Sequence, residues 1–241
     1  MGNRAFTVGW KKGGPSLTGL KHWVEADSGI TKDGSNTVSA WADKSGNGTN
    51  WGSPQSGNLT WVANQINGLP VLRSPGATGA GAPQLRQTGF FTTGNSNIPA
   101  EAFIILKNNA NTIGYAWGGF STDPASSHWP FTTDVYENFG IPSRVNGTNP
   151  YNVRAYSIYN ISSGGTVTPY VLRQSGTQFF SGGPLGSSWA STFCLFAGDS
   201  VGGANTYGLN GDIAAIMIYD HVLSSTERAK TYSYLASKYA L

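Results

Sequence analysis

The sequence predicts an all-β fold: a two-sheet antiparallel jelly-roll sandwich closed by a short C-terminal α-helix. Composition is the first observation, because many short runs of aromatic and β-branched residues are separated by Gly, Ser, Thr and Asn, which favours short strands joined by tight turns. The second is a pair of apolar runs of strand length, at residues 102–106 and 213–219, which indicate central strands. The third is a helix-start signal at residues 224–227, directly after the last strand.

Residues 1–19 are predicted to form an arm or attachment segment, because the stretch 11–15 (KKGGP) is rich in chain-breaking residues. The jelly-roll domain is predicted to span residues 20–241 as one unit, since no change in composition divides it. Its first strand, 20–26, alternates polar and apolar residues, and a short strand follows at 38–41. The chain then bends, because Asp43 and two glycines supply turn chemistry.

Residues 50–100 are predicted to be mostly loop with short strands, and the run at 102–107 is predicted to lie in the middle of a sheet. The pair Ser175-Gly176 predicts a hairpin turn within 170–180. The helix that starts at Ser224 is expected to face the sandwich with Tyr232, with Leu235 or Ala236, and with Tyr239. The remaining strands are predicted at 69–73, 85–87, 89–91, 115–120, 128–132, 135–139, 153–159, 193–198 and 211–220.

Charge and hydropathy argue against several classes of partner. The net charge of +3 comes from scattered Lys and Arg without a basic run, so nucleic acid is not expected as a partner. No stretch is long and apolar enough to cross a bilayer, so no membrane insertion is expected, and the N-terminus lacks the apolar core of a signal peptide. The single cysteine, Cys194, rules out an internal disulfide and a multi-cysteine metal site.

Three segments carry a family resemblance: residues 41–48 (WADKSGNG), residues 67–72 (NGLPVL) and residues 211–220 (GDIAAIMIYD) with the helix sequence that follows. They resemble concanavalin A-like jelly rolls of the laminin-G-like type found in bacterial and bacteriophage surface proteins. The resemblance implies two antiparallel sheets, one of them concave. Because the family includes glycan-binding modules, protein-binding modules, virion proteins, glycan hydrolases and lyases, function must be argued from a site.

The carboxylates do not form a recognisable catalytic pair. Retaining glycosidases of the related fold present two carboxylates on one strand as Glu-x-Asp-x-Glu, and the four glutamates of this chain do not form that motif. Glu137 lies on a predicted strand, but its neighbour Asp134 is at odd spacing and is expected to face the other way. We therefore predict no catalytic residues and no enzyme activity, with an unusual glycan hydrolase as an alternative.

No cofactor is expected to be required. The resemblance implies one metal site, because enzyme relatives hold a structural calcium with an Asp from the last long strand, and Asp212 occupies the matching place. The alternative interpretation is that Asp212 caps a bulge or a turn.

Aromatic residues indicate the predicted binding site. Sugar-binding faces use exposed Trp and Tyr rings that stack on pyranose rings, with amide and guanidinium groups nearby to bond the hydroxyls. The residues predicted to bind ligand, on the middle of the concave sheet or on loops, are Trp117, Trp129, Tyr136, Arg144, Asn149, Tyr151, Trp51 and Trp61.

These features predict a non-catalytic recognition domain of a phage virion or, as the second choice, of a bacterial cell-surface assembly. Its expected partner is a glycan or host surface polysaccharide, in the manner of a receptor-binding protein. The alternative is a structural virion protein, such as a capsid decoration or fibre head, that docks on other virion subunits and binds no small ligand. The lack of a signal peptide favours the virion, because phage proteins reach the outside of the cell by lysis.

Overall fold

The three-dimensional structure is a computed structural model of the 241-residue chain. It describes residues 13–55, 57–76, 83–88, 99–110, 115–119, 126–131, 134–137, 154–164, 168–182, 192–196 and 208–241. In this part of the chain the elements are β1 (Leu20–Glu25), β2 (Ile30–Lys32), β3 (Val38–Trp41), β4 (Gly52–Gln55), β5 (Thr60–Ile66), β6 (Leu69–Pro75), β7 (Gln84–Thr88), β8 (Ala100–Asn108), β9 (Tyr115–Gly119), β10 (Ser126–Phe131), β11 (Asp134–Glu137), β12 (Ser157–Gly164), β13 (Thr168–Gln174), β14 (Thr177–Gly182), β15 (Thr192–Leu195), β16 (Asn210–Tyr219) and α1 (Ser225–Tyr239).

The strands form two main sheets. The larger has eight strands in the order β14-β13-β12-β8-β16-β6-β5, with β1 also paired to β16, and the smaller has six in the order β11-β10-β9-β15-β7-β4. Strands β2 and β3 form a separate two-stranded sheet. Every strand pair in the described part of the chain is antiparallel. The predicted all-β antiparallel jelly-roll sandwich with a C-terminal helix is thereby confirmed.

The two apolar runs of the sequence are the central strands of the larger sheet. β8 lies between β12 and β16, and residues such as Ile104 and Phe103 pair with Ile216 and Met217. Both faces of β8 are buried, which explains why the run does not alternate. Gly211 begins this pairing at a place where a Cβ would lie 2.4 Å from the carbonyl oxygen of Lys107, so glycine is needed for the close approach.

Alternation along β8 divides the protein into two apolar cores. Ile104 and Leu106 lie in the core between the two sheets, whereas Phe103 and Ile105 lie in the core between the larger sheet and α1. We call the second side the helix face of the larger sheet. Because β8 and β16 supply both cores, they hold all three layers of the molecule together.

Helix α1 starts at the capping box predicted from the sequence. The Ser224 side chain accepts a hydrogen bond from the Glu227 backbone N–H, and the Glu227 carboxylate accepts one from the Ser224 backbone N–H at 3.0 Å. Leu235 and Tyr239 are each 1% exposed in the core on the helix face, as predicted, while Tyr232 is partly buried.

The chain before β1 is buried at residues 15 and 16, which are Pro15 and Ser16. The Ser16 backbone N–H donates to Thr231 Oγ1 of the helix at 3.2 Å, and Tyr219 donates to the Ser16 carbonyl oxygen at 3.1 Å. Ser16, which lies in the predicted arm, is therefore bonded to the helix and to the last strand. Residues 1–12 of the predicted arm lie outside the described residues.

β2, β4 and β5 are not among the strands predicted from the sequence, and β12 starts later than predicted. β5 occupies residues that were expected to be loop, and it pairs with β6 beside the predicted strand at 69–73. β12 starts at Ser157, whereas the predicted strand at 153–159 begins with residues that form an exposed turn at Arg154 and Ala155. The predicted strand at 89–91 lies outside the described residues.

Among the helical residues that the structure describes, no segment has the length and apolar character of a membrane span.

Candidate functional site

The strands that carry Trp117, Trp129 and Tyr136 lie side by side at one edge of the six-stranded sheet. β10 pairs with β9 through Ser127 and Trp117, and with β11 through His128 and Tyr136. Trp129 follows His128 directly, so its backbone lies one position along β10 from the residue that pairs with Tyr136. The side chains of Trp129 and Tyr136, and all of Arg144, Asn149 and Tyr151, lie outside the described residues.

Trp117 and Trp51 are core residues. Trp117 is 3% exposed and lies in register with Leu195, which in turn pairs with Leu85 in the core between the sheets. Trp51 is 1% exposed in the same core, and its backbone pairs with that of Trp41. The prediction that these two rings contact a ligand is wrong, because their large apolar area is buried where the sheets meet.

Trp61 lies on β5 of the larger sheet, so the structure does not bring it together with the aromatic strands of the smaller sheet. The ring packs against the core between the sheets, and its Nε1 donates to the Ala26 carbonyl oxygen at 2.9 Å. The Lys32 ammonium lies 4.8 Å from the ring centroid. The indole is therefore held in place by structural contacts on several sides.

The face of β7 that points away from the core between the sheets carries polar groups that the sequence prediction missed. Leu85 points into the core, so Gln84 and Arg86 lie on the outer face of the smaller sheet, where Arg86 pairs with Cys194. Gln84 is 5% exposed, and its Oε1 has no hydrogen-bond partner within the described part of the chain. Amide and guanidinium groups are the kind that bond sugar hydroxyls. The available signal was the alternation of polar and apolar residues at 84–88 (QLRQT).

Asp212 forms an ion pair, and its surroundings do not fit calcium. Its 0% exposed carboxylate accepts hydrogen bonds from Arg73 Nε at 2.6 Å and Nη2 at 2.8 Å, and from the Tyr156 hydroxyl at 2.5 Å. The bond to Asp212 raises the pKa of Arg73, while burial and then the same carboxylate raise the pKa of Tyr156. A guanidinium already neutralises the oxygens that a calcium ion would need. Within the described residues no group of three or more His, Cys, Asp or Glu side chains is placed to hold a metal ion.

Two further buried carboxylates are bonded in the same way. Glu101 accepts from Arg228 Nε at 2.6 Å and from the Leu223 backbone N–H at 2.9 Å. Glu25 accepts from the Tyr234 hydroxyl at 2.8 Å and forms ion pairs with Lys44 and Lys238. Each carboxylate is fully buried and already bonded to a cation, so neither is free to act as a general acid or nucleophile.

The bend at residues 41–49 is organised by Asp43 and by the buried His22, whose Nδ1 lies 2.9 Å from Thr49 Oγ1. Asp43 Oδ1 accepts from the backbone N–H groups of Trp23 and Ser45, both at 2.9 Å, and Oδ2 accepts from Thr49 Oγ1 at 3.0 Å. Burial pushes the pKa of Asp43 up, but the hydrogen bonds from Ser45 and Trp23 outweigh that effect and leave it lowered. The motif is therefore a structural clamp that fixes the loop against β1.

Comparison with protein-family models gives no match, and comparison with curated proteins gives none either. Solved structures do match. Trypanosoma rangeli sialidase in complex with sialic acid has a TM-score of 0.61 at 13% identity, covering 93% of this chain and 34% of that chain. Domain 4 of AbnA, a GH43 extracellular arabinanase from Geobacillus stearothermophilus, in complex with arabinotriose, has a TM-score of 0.55 at 15% identity, covering 88% of this chain and 96% of that chain.

A third match is the binding domain of botulinum neurotoxin DC in complex with SialylT, with a TM-score of 0.56 at 11% identity, covering 90% of this chain and 51% of that chain. At such low identity these likenesses show a shared β-sandwich fold. The chain spans about a third of the sialidase, half of the neurotoxin fragment and nearly all of the arabinanase domain.

Proposed function

We propose that this chain is a non-catalytic recognition domain that binds glycan. The observation that carries the proposal is the match to domain 4 of the arabinanase, which was solved with arabinotriose and is covered over 96% of its length. A unit of this fold and size, without further domains, is therefore able to hold a saccharide. The sialidase and the neurotoxin binding domain add further examples of sugar ligands in proteins that contain this fold.

The burial of the carboxylates and their pairing with cations support a binding role. Hydrolysis needs two carboxyl groups flanking an open groove, one of them able to give up a proton. Glu25, Glu101 and Asp212 are instead each 0% exposed and paired with a cation. Glu137, the one glutamate predicted to lie on a central strand, is on β11 at the edge of the smaller sheet, where it pairs with Ser127 of β10, and its side chain lies outside the described residues.

We place the glycan on the smaller sheet, at the edge formed by β9, β10 and β11. Trp129 and Tyr136 lie on neighbouring strands, because the register partner of Tyr136 is His128, the residue before Trp129. Aromatic residues supply the rings on which sugars stack. The polar pair Gln84 and Arg86 lies on the outer face of the same sheet. Trp129 and Tyr136 are the two residues on which the proposal depends most.

The finer part of the proposal concerns where the domain works. We propose that it serves a phage virion or a bacterial surface assembly and meets a host surface polysaccharide, with the N-terminal residues attaching it to other subunits. Support for this part comes from the motifs at residues 41–48, 67–72 and 211–220. Co-sedimentation with capsids of a protein that binds no glycan would instead favour the purely structural virion role.

A glycan array tests the proposal directly. The wild-type chain, Trp129→Ala and Tyr136→Ala are applied to an array that contains arabinan oligosaccharides, sialylated glycans and bacterial surface polysaccharides. Trp61→Ala is the matched control, because it removes an aromatic ring from the other sheet. We expect wild type and the control to bind the same glycans, and each test variant to lose about tenfold or more in affinity, since stacked aromatic rings dominate such sites.

Three outcomes would contradict the proposal. Failure of the wild-type chain to bind any arrayed glycan would remove its basis, and equal loss of binding in Trp61→Ala would move the site away from β9 to β11. If the wild-type chain released reducing ends from a bound polysaccharide and Glu137→Gln abolished that release, the domain would be a glycan hydrolase.

A further inference from the structure

We infer that the helix face of the larger sheet holds an oxyanion site at Arg173, next to Arg228 of α1, which takes the carboxylate or sulfate group of an acidic ligand. Arg173 lies partly buried on β13. Its Nη1 donates to Asn160 Oδ1 at 2.9 Å and to Ser162 Oγ at 3.1 Å, and both acceptors are neutral. The guanidinium is thus positioned by the sheet without being neutralised by it.

A short chain of contacts joins the two arginines. Arg228 Nε donates to Glu101 Oε1 at 2.6 Å, Asn160 Nδ2 donates to the same Oε1 at 2.9 Å, and Asn160 in turn accepts from Arg173. Glu101 Oε2 also accepts from Arg228 Nη2 at 2.8 Å and from the Leu223 backbone N–H at 2.9 Å, so its four acceptor positions are used. Among the residues that the structure describes, the cluster therefore contains two guanidinium groups and one carboxylate, which leaves one positive charge without a counter-ion there.

Arg173 has no carboxylate within ion-pair distance among the residues that the structure describes. A guanidinium has five N–H donors, and only those of Nη1 meet a protein acceptor in this part of the chain. Burial lowers the pKa of Arg173, and the nearby positive charge of Arg228 lowers it further. A partly desolvated cation of this kind is stabilised by an anion that accepts from its remaining N–H groups.

The surroundings leave access to a ligand. Gln178, the register partner of Arg173 on β14, is exposed, and so are the hairpin residues Ser175 and Gly176. Tyr232 of α1 reaches this hairpin, since a Cβ on Gly176 would lie 3.3 Å from its ring. An anion at Arg173 would therefore sit between the hairpin and the helix, with an aromatic ring at its side. The planar fork of the guanidinium matches carboxylate and sulfate oxygens in pairs.

This site is independent of the proposed glycan face, because it lies on the other sheet. The test is thermal unfolding in sodium sulfate, sodium acetate and methyl glucuronide, each compared with sodium chloride at equal ionic strength, with neutral methyl glucoside as a further control. We expect at least one oxyanion to raise the wild-type Tm by about 2–5 °C at saturation. Isothermal titration then gives the Kd.

Arg173→Gln should abolish the rise in Tm, and Arg173→Lys, which keeps the charge but loses the fork, should weaken the Kd by about tenfold. Lys230→Gln is the matched control, because it removes an exposed cation from the same helix as Arg228 and should leave binding unchanged. Binding of glucuronide alone would identify a carboxylate ligand, and binding of sulfate alone a sulfate ester. The inference is overturned if no oxyanion exceeds chloride in the wild-type chain, or if Lys230→Gln loses as much binding as Arg173→Gln.

Discussion

At the scale of single residues, the least expected feature is a neutral histidine in the interior. His22 is 0% exposed, its Nε2 accepts from Trp51 Nε1 at 2.7 Å, and its Nδ1 lies 2.9 Å from Thr49 Oγ1. Because Nε2 is an acceptor, the proton sits on Nδ1 and the ring is uncharged. Burial lowers the pKa of His22 to about 3, although the nearby Asp43 carboxylate opposes that effect.

This histidine makes the domain sensitive to acid. The unfolded chain binds a proton on His22 near pH 6.5 and the folded chain does not, so stability falls as the pH drops below 6.5. The expected loss is about 1.4 kcal/mol per pH unit, or about 2 kcal/mol between pH 6.5 and 5.0. Urea unfolding at these two pH values measures this loss. In His22→Gln this part of the slope of the free energy of unfolding against pH should vanish. An unchanged slope in the variant would show that His22 is not the group responsible.

The sequence predicts local chemistry at single residues better than their distant partners. The turn role of Asp43 and the capping box at Ser224 follow from neighbours within a few positions. The pairing of Asp212 with Arg73 and of Glu101 with Arg228 joins residues more than 100 positions apart, and no spacing rule reveals such pairs. For the same reason Trp51 and Trp117 could not be told from exposed aromatics by the sequence alone.

At the scale of elements, prediction succeeded where a segment carries its own signal. β8, β16, the hairpin between β13 and β14, and the start of α1 follow from apolar runs, a Ser-Gly turn and a cap. β5 (TWVANQI) was missed because its polar residues resemble a loop, and only its pairing with β6 makes it a strand. The order of strands in each sheet depends on long-range contacts that the sequence pattern does not express.

Helix α1 is expected to be part of the cooperative unit of the fold. Leu235→Ala creates a cavity between the helix and the larger sheet, and we expect a loss of about 3 kcal/mol in the free energy of unfolding. Leu17→Ala is the matched control, because Leu17 is 67% exposed and its truncation should cost less than about 0.5 kcal/mol. Chemical denaturation with a single transition measures both. Equal effects of the two variants would show that the helix is not docked as described.

At the scale of the whole molecule, the fold divides roles between its two sheets. The larger sheet carries the helix, the buried ion pairs and the arginine cluster, while the smaller sheet carries the strands of Trp129 and Tyr136, on which the proposed glycan site depends. The sandwich itself could be predicted from the sequence, but the position of the ligand could be predicted only to a group of strands. The predicted contacts Arg144, Asn149 and Tyr151 stay predictions, because they lie outside the described residues.

The central claim is that this domain binds glycan without cleaving it. The most direct measurement is isothermal titration with the glycan bound best on the array, followed by mass spectrometry of that glycan after prolonged incubation with the protein. We predict saturable binding and a glycan of unchanged mass. Absence of heat of binding, or the appearance of shorter saccharides, would contradict the claim.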